Sequence, residues 1–240
     1  MSQIGQIERA TQNRLVILFQ EQLGYRYLGN LENEDNNSNV VDALLTAYLA
    51  KKGYTPQIIN KALFEFKKAV TINFNDDLYQ ANKNVYSMLR YGIPVREEAG
   101  KNKETVYLID WHNPLENDFA IAEEVTIKSD LHDKRPDIVI YINGIAVGVL
   151  ELKRSTVSVS EGIRQNNDNQ KHIFIKPFFT TIQLVMAGQN VEGLRYAAID
   201  TPEKYYLKWK EINQKFNPND TYLLELTQPI REKADKTDNL

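Results

Sequence analysis

Three residues with the chemistry of a metal-dependent hydrolase lie close together in the sequence: Asp137, Glu151 and Lys153. Asp137 follows a proline, and one leucine separates Glu151 from Lys153. Two carboxylates can bind a hard divalent cation such as Mg²⁺, and the cation can polarise a phosphate and acidify a bound water. A lysine beside them can orient that water or neutralise charge that develops on the phosphate. The three residue types therefore favour hydrolysis of a phosphodiester, provided that the side chains meet.

The segment between the two acids predicts a β-hairpin. Two apolar, strand-like runs, 138–142 and 145–150, flank the dipeptide Asn143-Gly144. Asn-Gly between such runs is the strongest short-range hairpin signal in a sequence. Folding at this dipeptide brings the far end of the segment back to its near end, so the acids and the lysine would share one end of a sheet.

The register of this hairpin decides whether the acids face each other. With a two-residue turn, Asp137 lies opposite Leu150, and cross-strand partners share a face. Asp137 would then point away from Glu151. We therefore predict a one-residue offset, supplied by a β-bulge, by a longer loop or by a strand break at Pro136. The glycine of the turn and Gly148 favour the bulge.

An ordinary explanation of the motif also exists. The tripeptide Glu-x-Lys is common and is usually an exposed pair at a strand end. The combination with Pro-Asp at the other end of a hairpin is rarer, so the residues alone leave both interpretations open.

Bulk composition narrows the class of protein. Of the 240 residues, 42% are hydrophobic and 25% are charged, which is typical of soluble globular proteins. The sequence has no apolar run of membrane-spanning length and no signal-peptide pattern, so neither a membrane protein nor a secreted protein is expected. The absence of cysteine excludes disulfides, thiolate catalysis and cysteine-based zinc sites, and fits a reducing cytoplasm.

The charge distribution is compatible with a phosphodiester substrate. The net charge of −3 argues against a dedicated nucleic-acid binder that acts alone. Basic residues nevertheless cluster around the hairpin, and a basic rim would attract a polyanion. Ordinary solvated charge explains the cluster equally well. Its members are Lys128, Lys134, Arg135, Lys153, Arg154, Arg164, Lys171 and Lys176.

Periodicity predicts a mixed α/β fold with a helical beginning. Predicted helices cover 7–23, 40–52, 56–66, 76–89, 158–169 and 201–209, and predicted strands cover 25–28, 106–109, 119–128, 182–187 and 194–199, in addition to the hairpin. Predicted helix caps are Ser38 or Asn39, Thr55 and Ser160. We divide the chain into a mainly helical part (1–92), an α/β core that carries the hairpin (93–217) and a charged C-terminal linker (218–240).

Other candidate sites are weaker. The three histidines, His112, His132 and His172, are too far apart to form a metal-ligand pattern. Neither a phosphate-binding loop of the G-x-x-x-x-G-K type nor a Gly-x-Ser-x-Gly elbow occurs, so nothing in these residues predicts ATP binding. Phe174, Phe178 and Phe179 could stack on bases, but packing in a core is the safer interpretation.

The acids, the lysine and the sequence that follows them resemble one family. They are similar to the N-terminal nuclease domain of the R (restriction, or motor) subunit of type I restriction-modification enzymes, which belongs to the PD-(D/E)xK superfamily. The resemblance covers essentially the whole chain. Besides Asp137 and 151–153, it rests on 23–25 (LGY), 161–166 (EGIRQN), 178–180 (FFT), 187–188 (AG), 193–196 (GLRY), 201–204 (TPEK) and 209–210 (WK).

The resemblance implies a restriction-endonuclease-like core, in which a mixed central sheet is flanked by helices and preceded by a helical N-terminal region. It implies that Asp137 and Glu151 bind Mg²⁺, with Mn²⁺ as a substitute, and that Lys153 is catalytic. The backbone carbonyl of Leu152 is a candidate third metal ligand. An acid from an early helix often completes such sites, and Asp42 is our candidate, with Glu32, Glu34 and Asp35 as nearby competitors.

The family also carries a Q-x-x-x-Y motif on the helix after the lysine. Gln165 matches the glutamine, but Asn169 occupies the position of the tyrosine, which leaves the role of Gln165 open between supporting the site and contacting DNA. Arg164 and Arg154 are further candidates for contacts with DNA.

The activity implied by the resemblance is cleavage of double-stranded DNA in defence against foreign DNA, in a prokaryotic cytoplasm. ATP would be used only by two helicase-like motor domains that these residues do not include, and we expect the natural sequence to continue into them. The modification (methylase) and specificity subunits would be partners. Two alternatives remain: a stand-alone nuclease of repair or recombination, and a non-catalytic module that binds DNA or docks to a partner.

Overall fold

A computed structural model describes residues 3–210 apart from Phe74 and Ala99, with side chains from Glu8 onward. The predicted linker 218–240 lies outside these residues, and the boundaries at 92 and 217 remain predictions. No helix in the described part is long and apolar enough to cross a membrane. Its helices are α1 (Gln3–Glu21), α2 (Asp42–Lys51), α3 (Pro56–Val70), α4 (Leu78–Tyr91) and α5 (Val159–Asn169). Its strands are β1 (Arg26–Asn30), β2 (Ile93–Val95), β3 (Glu104–Val106), β4 (Phe119–Glu123), β5 (Ile138–Ile142), β6 (Ile145–Leu152), β7 (Leu184–Gln189), β8 (Gly193–Ala197) and β9 (Leu207–Lys208).

The central feature of the described residues is a mixed seven-stranded sheet in the order β1-β4-β5-β6-β7-β8-β9. Pairs β1–β4 and β6–β7 are parallel, and the other neighbours are antiparallel. Strands β2 and β3 form a separate two-stranded sheet. This arrangement of strands and flanking helices is the predicted α/β, restriction-endonuclease-like core.

Strands β5 and β6 form the predicted hairpin, and their register contains the predicted offset. Near the turn Ile142 pairs with Ile145, whereas farther along Ile140 pairs with Gly148. Val147 is therefore the extra residue of a β-bulge. Beyond the bulge, every residue of β5 is matched with a residue one position later in β6 than a simple hairpin would allow.

Helix α2 fixes the turn of this hairpin. Asn143 and Gly144 both have positive φ, 53° and 83°, as a tight hairpin turn of the Asn-Gly type requires. The backbone N–H of Val41 donates to the Gly144 carbonyl over 2.7 Å. A Cβ on Gly144 would lie 2.7 Å from the Cβ of Leu44, so only glycine fits between the turn and the helix.

The two faces of the sheet are buried by different elements. On one face Val139, Tyr141 and Val149 belong to a cluster that also contains the aromatic rings of Phe178 and Phe179. Both rings are buried, which agrees with core packing rather than base stacking. On the other face a cluster of Ile138, Leu150, Leu152 and Met186 includes Val16 of α1. The hairpin is thus held from both sides.

Several local predictions are confirmed and others are wrong at the level of single residues. Thr55 caps α3 by accepting from the N–H of Ile58, as predicted. The cap of α5 is Ser158 rather than Ser160. Helix α2 begins without a side-chain cap, because its N-cap residue is Val41, which has no side-chain acceptor. The two predicted caps bond elsewhere: the Ser38 hydroxyl donates to the carbonyl of Val40, and the Asn39 carboxamide donates to the carbonyl of Pro177.

The helix predicted over 201–209 is wrong. A single 3₁₀ turn, Glu203–Tyr205, is followed by β9, which pairs with β8 through Tyr196 and Leu207. The open edge of the sheet offers backbone hydrogen bonds to this segment, and that pairing overrides a local preference for helix.

Candidate active site

The bulge brings the two acids to the same end and the same face of the hairpin. Asp137 directly precedes β5 and falls opposite Glu151, since Ile138 pairs with Leu150. The two carboxyl groups are close enough for the charge of Asp137 to raise the pKa of Glu151. Asp137 Oδ2 also accepts from the backbone N–H of Leu152 over 2.6 Å. The predicted offset is therefore confirmed.

Gln165 connects the buried acid to the lysine. The side chain of Glu151 is completely buried. Its Oε2 accepts from Gln165 Nε2 over 2.6 Å, and Gln165 Oε1 accepts from Lys153 Nζ over 2.8 Å. Lys153 Nζ lies 4.0 Å from Glu151 Oε2. One carboxamide thus fixes the relative positions of both charged groups.

Helix α5 can carry Gln165 to this place because it packs unusually close to the strands. A Cβ on Gly162 would lie 3.0 Å from the Cβ of Ala187, 3.5 Å from Lys153 Cγ and 3.6 Å from Glu151 Cβ. The absence of a side chain at Gly162 therefore sets the separation between α5 and the ends of β6 and β7.

The position four residues after Gln165 also reaches the acid. Asn169 is buried, and its Nδ2 donates to Glu151 Oε1 over 3.5 Å. Both carboxylate oxygens of Glu151 thus face a carboxamide from α5.

The electrostatics of the acid pair oppose full ionisation. The pKa of Asp137 is raised to about 6, chiefly by burial; the charges of Glu124 and Glu8 contribute to this rise, whereas the Leu152 N–H and Lys153 oppose it. Burial raises the pKa of Glu151 well above its ordinary value, and the neighbouring charge of Asp137 adds to this effect. Two buried carboxylates with one lysine leave uncompensated negative charge when both ionise.

This donor set fits Mg²⁺. The cation prefers oxygen ligands, is commonly held by one or two carboxylates, and keeps several of its waters. In the described residues no group of three or more histidine, aspartate or glutamate side chains is placed to hold a metal, so further ligands would be a backbone carbonyl and water. Leu152 remains the predicted source of that carbonyl. A divalent cation would compensate the charge of the ionised pair.

Sequence reasoning missed the polar network that joins α1 to Asp137, at the start of β5. Gln12 Nε2 donates to Glu124 Oε1 over 3.0 Å and to the Asp137 carbonyl over 3.3 Å. Glu124 has a φ of 51°, and its N–H donates to the same carbonyl. Its Oε2 lies 2.9 Å from Arg135 Nε. Gln12 is more than 100 residues away in sequence from both of its partners, so no local signal could have revealed its contacts.

The additional acid was assigned to the wrong end of the hairpin. Asp42 begins α2, which lies against the turn at Gly144, and it forms an ion pair with Lys67. Strand β5 separates the turn from Asp137 by about 20 Å. The extra negative charges that act on Asp137 come instead from Glu8 of α1 and from Glu124.

The predicted basic rim is largely engaged in surface ion pairs. Arg164 pairs with Glu161 and Glu203, and Lys171 pairs with Asp168. Such exposed pairs are weak and can exchange for phosphate contacts. Other members pair as Lys128–Asp133 and Arg135–Glu32.

Two basic side chains near the site have different surroundings. The ammonium of Lys134 lies 3.9 Å from the centre of the Phe174 ring. Arg154, next to Lys153, is half-buried at the start of the segment that leads to α5. The predicted DNA contacts of Arg154 and Arg164 remain predictions.

The comparisons with known proteins agree on one family. Residues 5–204 match the family described as "Type I restriction enzyme R protein N terminus". The chain is 26% identical to the type I restriction enzyme HindI endonuclease subunit of Haemophilus influenzae, over 69% of this chain and 16% of that protein. It is 23% identical to the SauMSSORF170P endonuclease subunit of Staphylococcus aureus, over 94% of this chain and 23% of that protein. The chain thus spans about a fifth of the length of these relatives.

Proposed function

Since the chain belongs to the family of type I restriction enzyme R protein N termini, we propose that it is a Mg²⁺-dependent endonuclease domain that hydrolyses phosphodiester bonds of double-stranded DNA. The observation that carries the proposal is the pairing of Asp137 with Glu151 across a bulged hairpin, with Lys153 linked to Glu151 through Gln165. A purely structural hairpin end has no need for two carboxyl groups buried against each other, because their burial costs stability.

Each residue has a distinct role in the proposed reaction. Asp137 and Glu151 would hold the cation, with the Leu152 carbonyl as a third ligand. When bound there, Mg²⁺ would supply Lewis acidity toward the phosphate and a more acidic water. Lys153 would donate to a phosphate oxygen and stabilise the charge that develops in the transition state. Gln165 would hold the side chains of Glu151 and Lys153 in fixed positions relative to each other. The raised pKa values of both acids imply that they must lose their protons before they can act as ligands.

The place of this domain in a larger enzyme is also a proposal. The named relatives are endonuclease subunits of type I restriction enzymes, and this chain covers about a fifth of their length. We infer that it is the nuclease part of an R subunit in a prokaryotic cytoplasm. ATP-driven motor domains would lie elsewhere in the subunit. Modification and specificity subunits would select the DNA.

The test separates cleavage from the other activities of the complex. In a complete R subunit assembled with its partner subunits, Lys153→Ala and Asp137→Ala should each abolish DNA cleavage. Both variants should keep DNA-stimulated ATP hydrolysis, because the changed side chains lie only in the acid–lysine site. If cleavage survived both changes, the domain would be a non-catalytic docking or DNA-binding module and the proposal would be wrong.

A further inference from the structure

Asn169 is a polar side chain buried beside the catalytic acid. It is the last residue of α5 and is 1% exposed. Its Nδ2 lies 3.5 Å from Glu151 Oε1, and within the described residues the carboxamide makes no other hydrogen bond. Its carbonyl oxygen is buried without a donor. Among the residues that the structure describes, Glu151 is thus the one polar partner of this side chain.

A buried carboxamide of this kind lowers the stability of a fold. Burying an amide whose oxygen has no partner costs free energy, whereas an apolar side chain of similar size would pack at the same place without that cost. Residues that break the rules of core packing in this way are expected at functional sites. The contact with Glu151 is the feature that can explain a polar side chain at this buried position.

Asn166, one helical turn earlier, has a different role. It is fully buried, and its carbonyl oxygen also lacks a donor. Its Nδ2, however, donates to the backbone carbonyl of Met186 over 2.8 Å. Asn166 therefore ties α5 to β7 and does not contact Glu151 in this way. The two asparagines share helix, burial and chemistry, and differ in the partner.

We propose that Asn169 is a positioning residue for Glu151, which together with Gln165 fixes the orientation of the carboxylate toward the bound metal. The terminal torsion of a glutamate is broad, so a carboxylate held at one oxygen can still rotate. Gln165 holds Oε2 and Asn169 holds Oε1. With a donor on each oxygen, the plane of the carboxylate is defined before the metal arrives. This inference rests on the proposed metal-dependent function.

Asn169 acts only through Glu151. A side chain that is 1% exposed cannot touch DNA, so a direct contact with substrate is excluded. Outer partners of metal ligands orient those ligands, and their loss typically weakens metal affinity or activity by about 10- to 100-fold.

The experiment compares Asn169→Leu with Asn166→Leu. Leucine has the same branched shape and is somewhat larger, but it has no donor. Binding of Mn²⁺ to this chain is measured by electron paramagnetic resonance, and Asp137→Asn defines the background. Asn169→Leu should weaken Mn²⁺ binding by about 10-fold or more. Asn166→Leu should lower the melting temperature and leave the Mn²⁺ affinity unchanged. If Asn169→Leu does not fold, Asn169→Ala gives the same comparison, because it is smaller and cannot clash.

Cleavage by the assembled enzyme provides an independent readout. A higher Mn²⁺ concentration should restore cleavage by the Asn169 variant, whereas it should not restore cleavage by Lys153→Ala. Wild-type Mn²⁺ affinity in the Asn169 variant, or an equal loss in Asn166→Leu, would overturn the positioning role and leave the proposed function intact. If the unmodified chain bound Mn²⁺ no better than Asp137→Asn, the metal-dependent function would fail and the positioning role with it.

Discussion

Replacing the buried acid Asp137 by asparagine should make the metal-free protein more stable at neutral and alkaline pH. The pKa of Asp137 rises from 3.8 to about 6 in the folded chain, chiefly because the group is buried. Ionising it there costs about 3 kcal/mol more than ionising it in the unfolded chain. Asparagine carries no charge, and its carbonyl oxygen can still accept from the N–H of Leu152. The variant therefore avoids the cost and keeps the hydrogen bond.

The sign of the pH dependence follows from proton binding. Between pH 4 and pH 6 the folded protein holds the Asp137 proton more tightly than the unfolded chain does. The stability of the unmodified, metal-free protein should therefore fall as pH rises through this range, and level off above it. The variant lacks this group, so the difference in unfolding free energy should be near zero at pH 4 and reach about 3 kcal/mol at pH 8.

Urea denaturation followed by circular dichroism, in the presence of a chelator at pH values from 4 to 8, measures this difference. Asp42→Asn is the matched control, since Asp42 forms an exposed ion pair with Lys67. Such a pair contributes about 0–1 kcal/mol, so its loss should give a small, uniform change. Added Mn²⁺ should stabilise the unmodified protein and not the Asp137 variant. A variant that is less stable at pH 8, or a difference that does not change with pH, would refute the reasoning.

Two further substitutions test the elements that shape the site. Gly144→Ala should destabilise the fold by about 1–3 kcal/mol in urea denaturation, because alanine is strained at a φ of 83° and its Cβ would clash with Leu44. An unchanged midpoint of the urea denaturation curve would mean that the turn can move to accommodate the methyl group. Gln165→Leu should reduce cleavage by about 10- to 100-fold, since it removes the link between Glu151 and Lys153; cleavage at the normal rate would show that neither group needs the carboxamide.

Local signals in the sequence were sufficient for the central hairpin and for several helix starts. The turn at Asn143-Gly144 and the cap at Thr55 depend on residues adjacent in the chain, and both are found where they were predicted. The segment after Pro202 was misread as a helix because its actual partner, β8, is supplied by the tertiary fold. A pattern within one segment cannot report which sheet edge is free to pair with it.

The charged residues around the site also could not be predicted from local sequence patterns. Glu8 acts on Asp137 from α1, a distance of more than 100 residues along the chain. The prediction of Asp42 rests only on its place on an early helix. Helix α2 packs against the hairpin turn rather than against the acids. Which helix meets which end of a hairpin depends on three-dimensional packing, and a single sequence does not contain that information in readable form.

The number of residues in the hairpin predicts the register offset, whereas packing determines where the bulge lies. Thirteen residues lie between Asp137 and Glu151. Two of them form the turn, and the remaining eleven cannot pair evenly, so one residue must stay unpaired if the acids are to face each other. Counting therefore predicts a one-residue offset, but neither its position nor whether a bulge, a longer loop or a strand break supplies it. Gly148 was expected to supply the backbone freedom, yet it does not have a positive φ. The extra residue is Val147, whose carbonyl accepts from the N–H of Gln183 just before β7. The segment before β7 thus supplies the hydrogen bond that the carbonyl of the bulged residue needs. The bulge, held in this way, places Asp137 opposite Glu151.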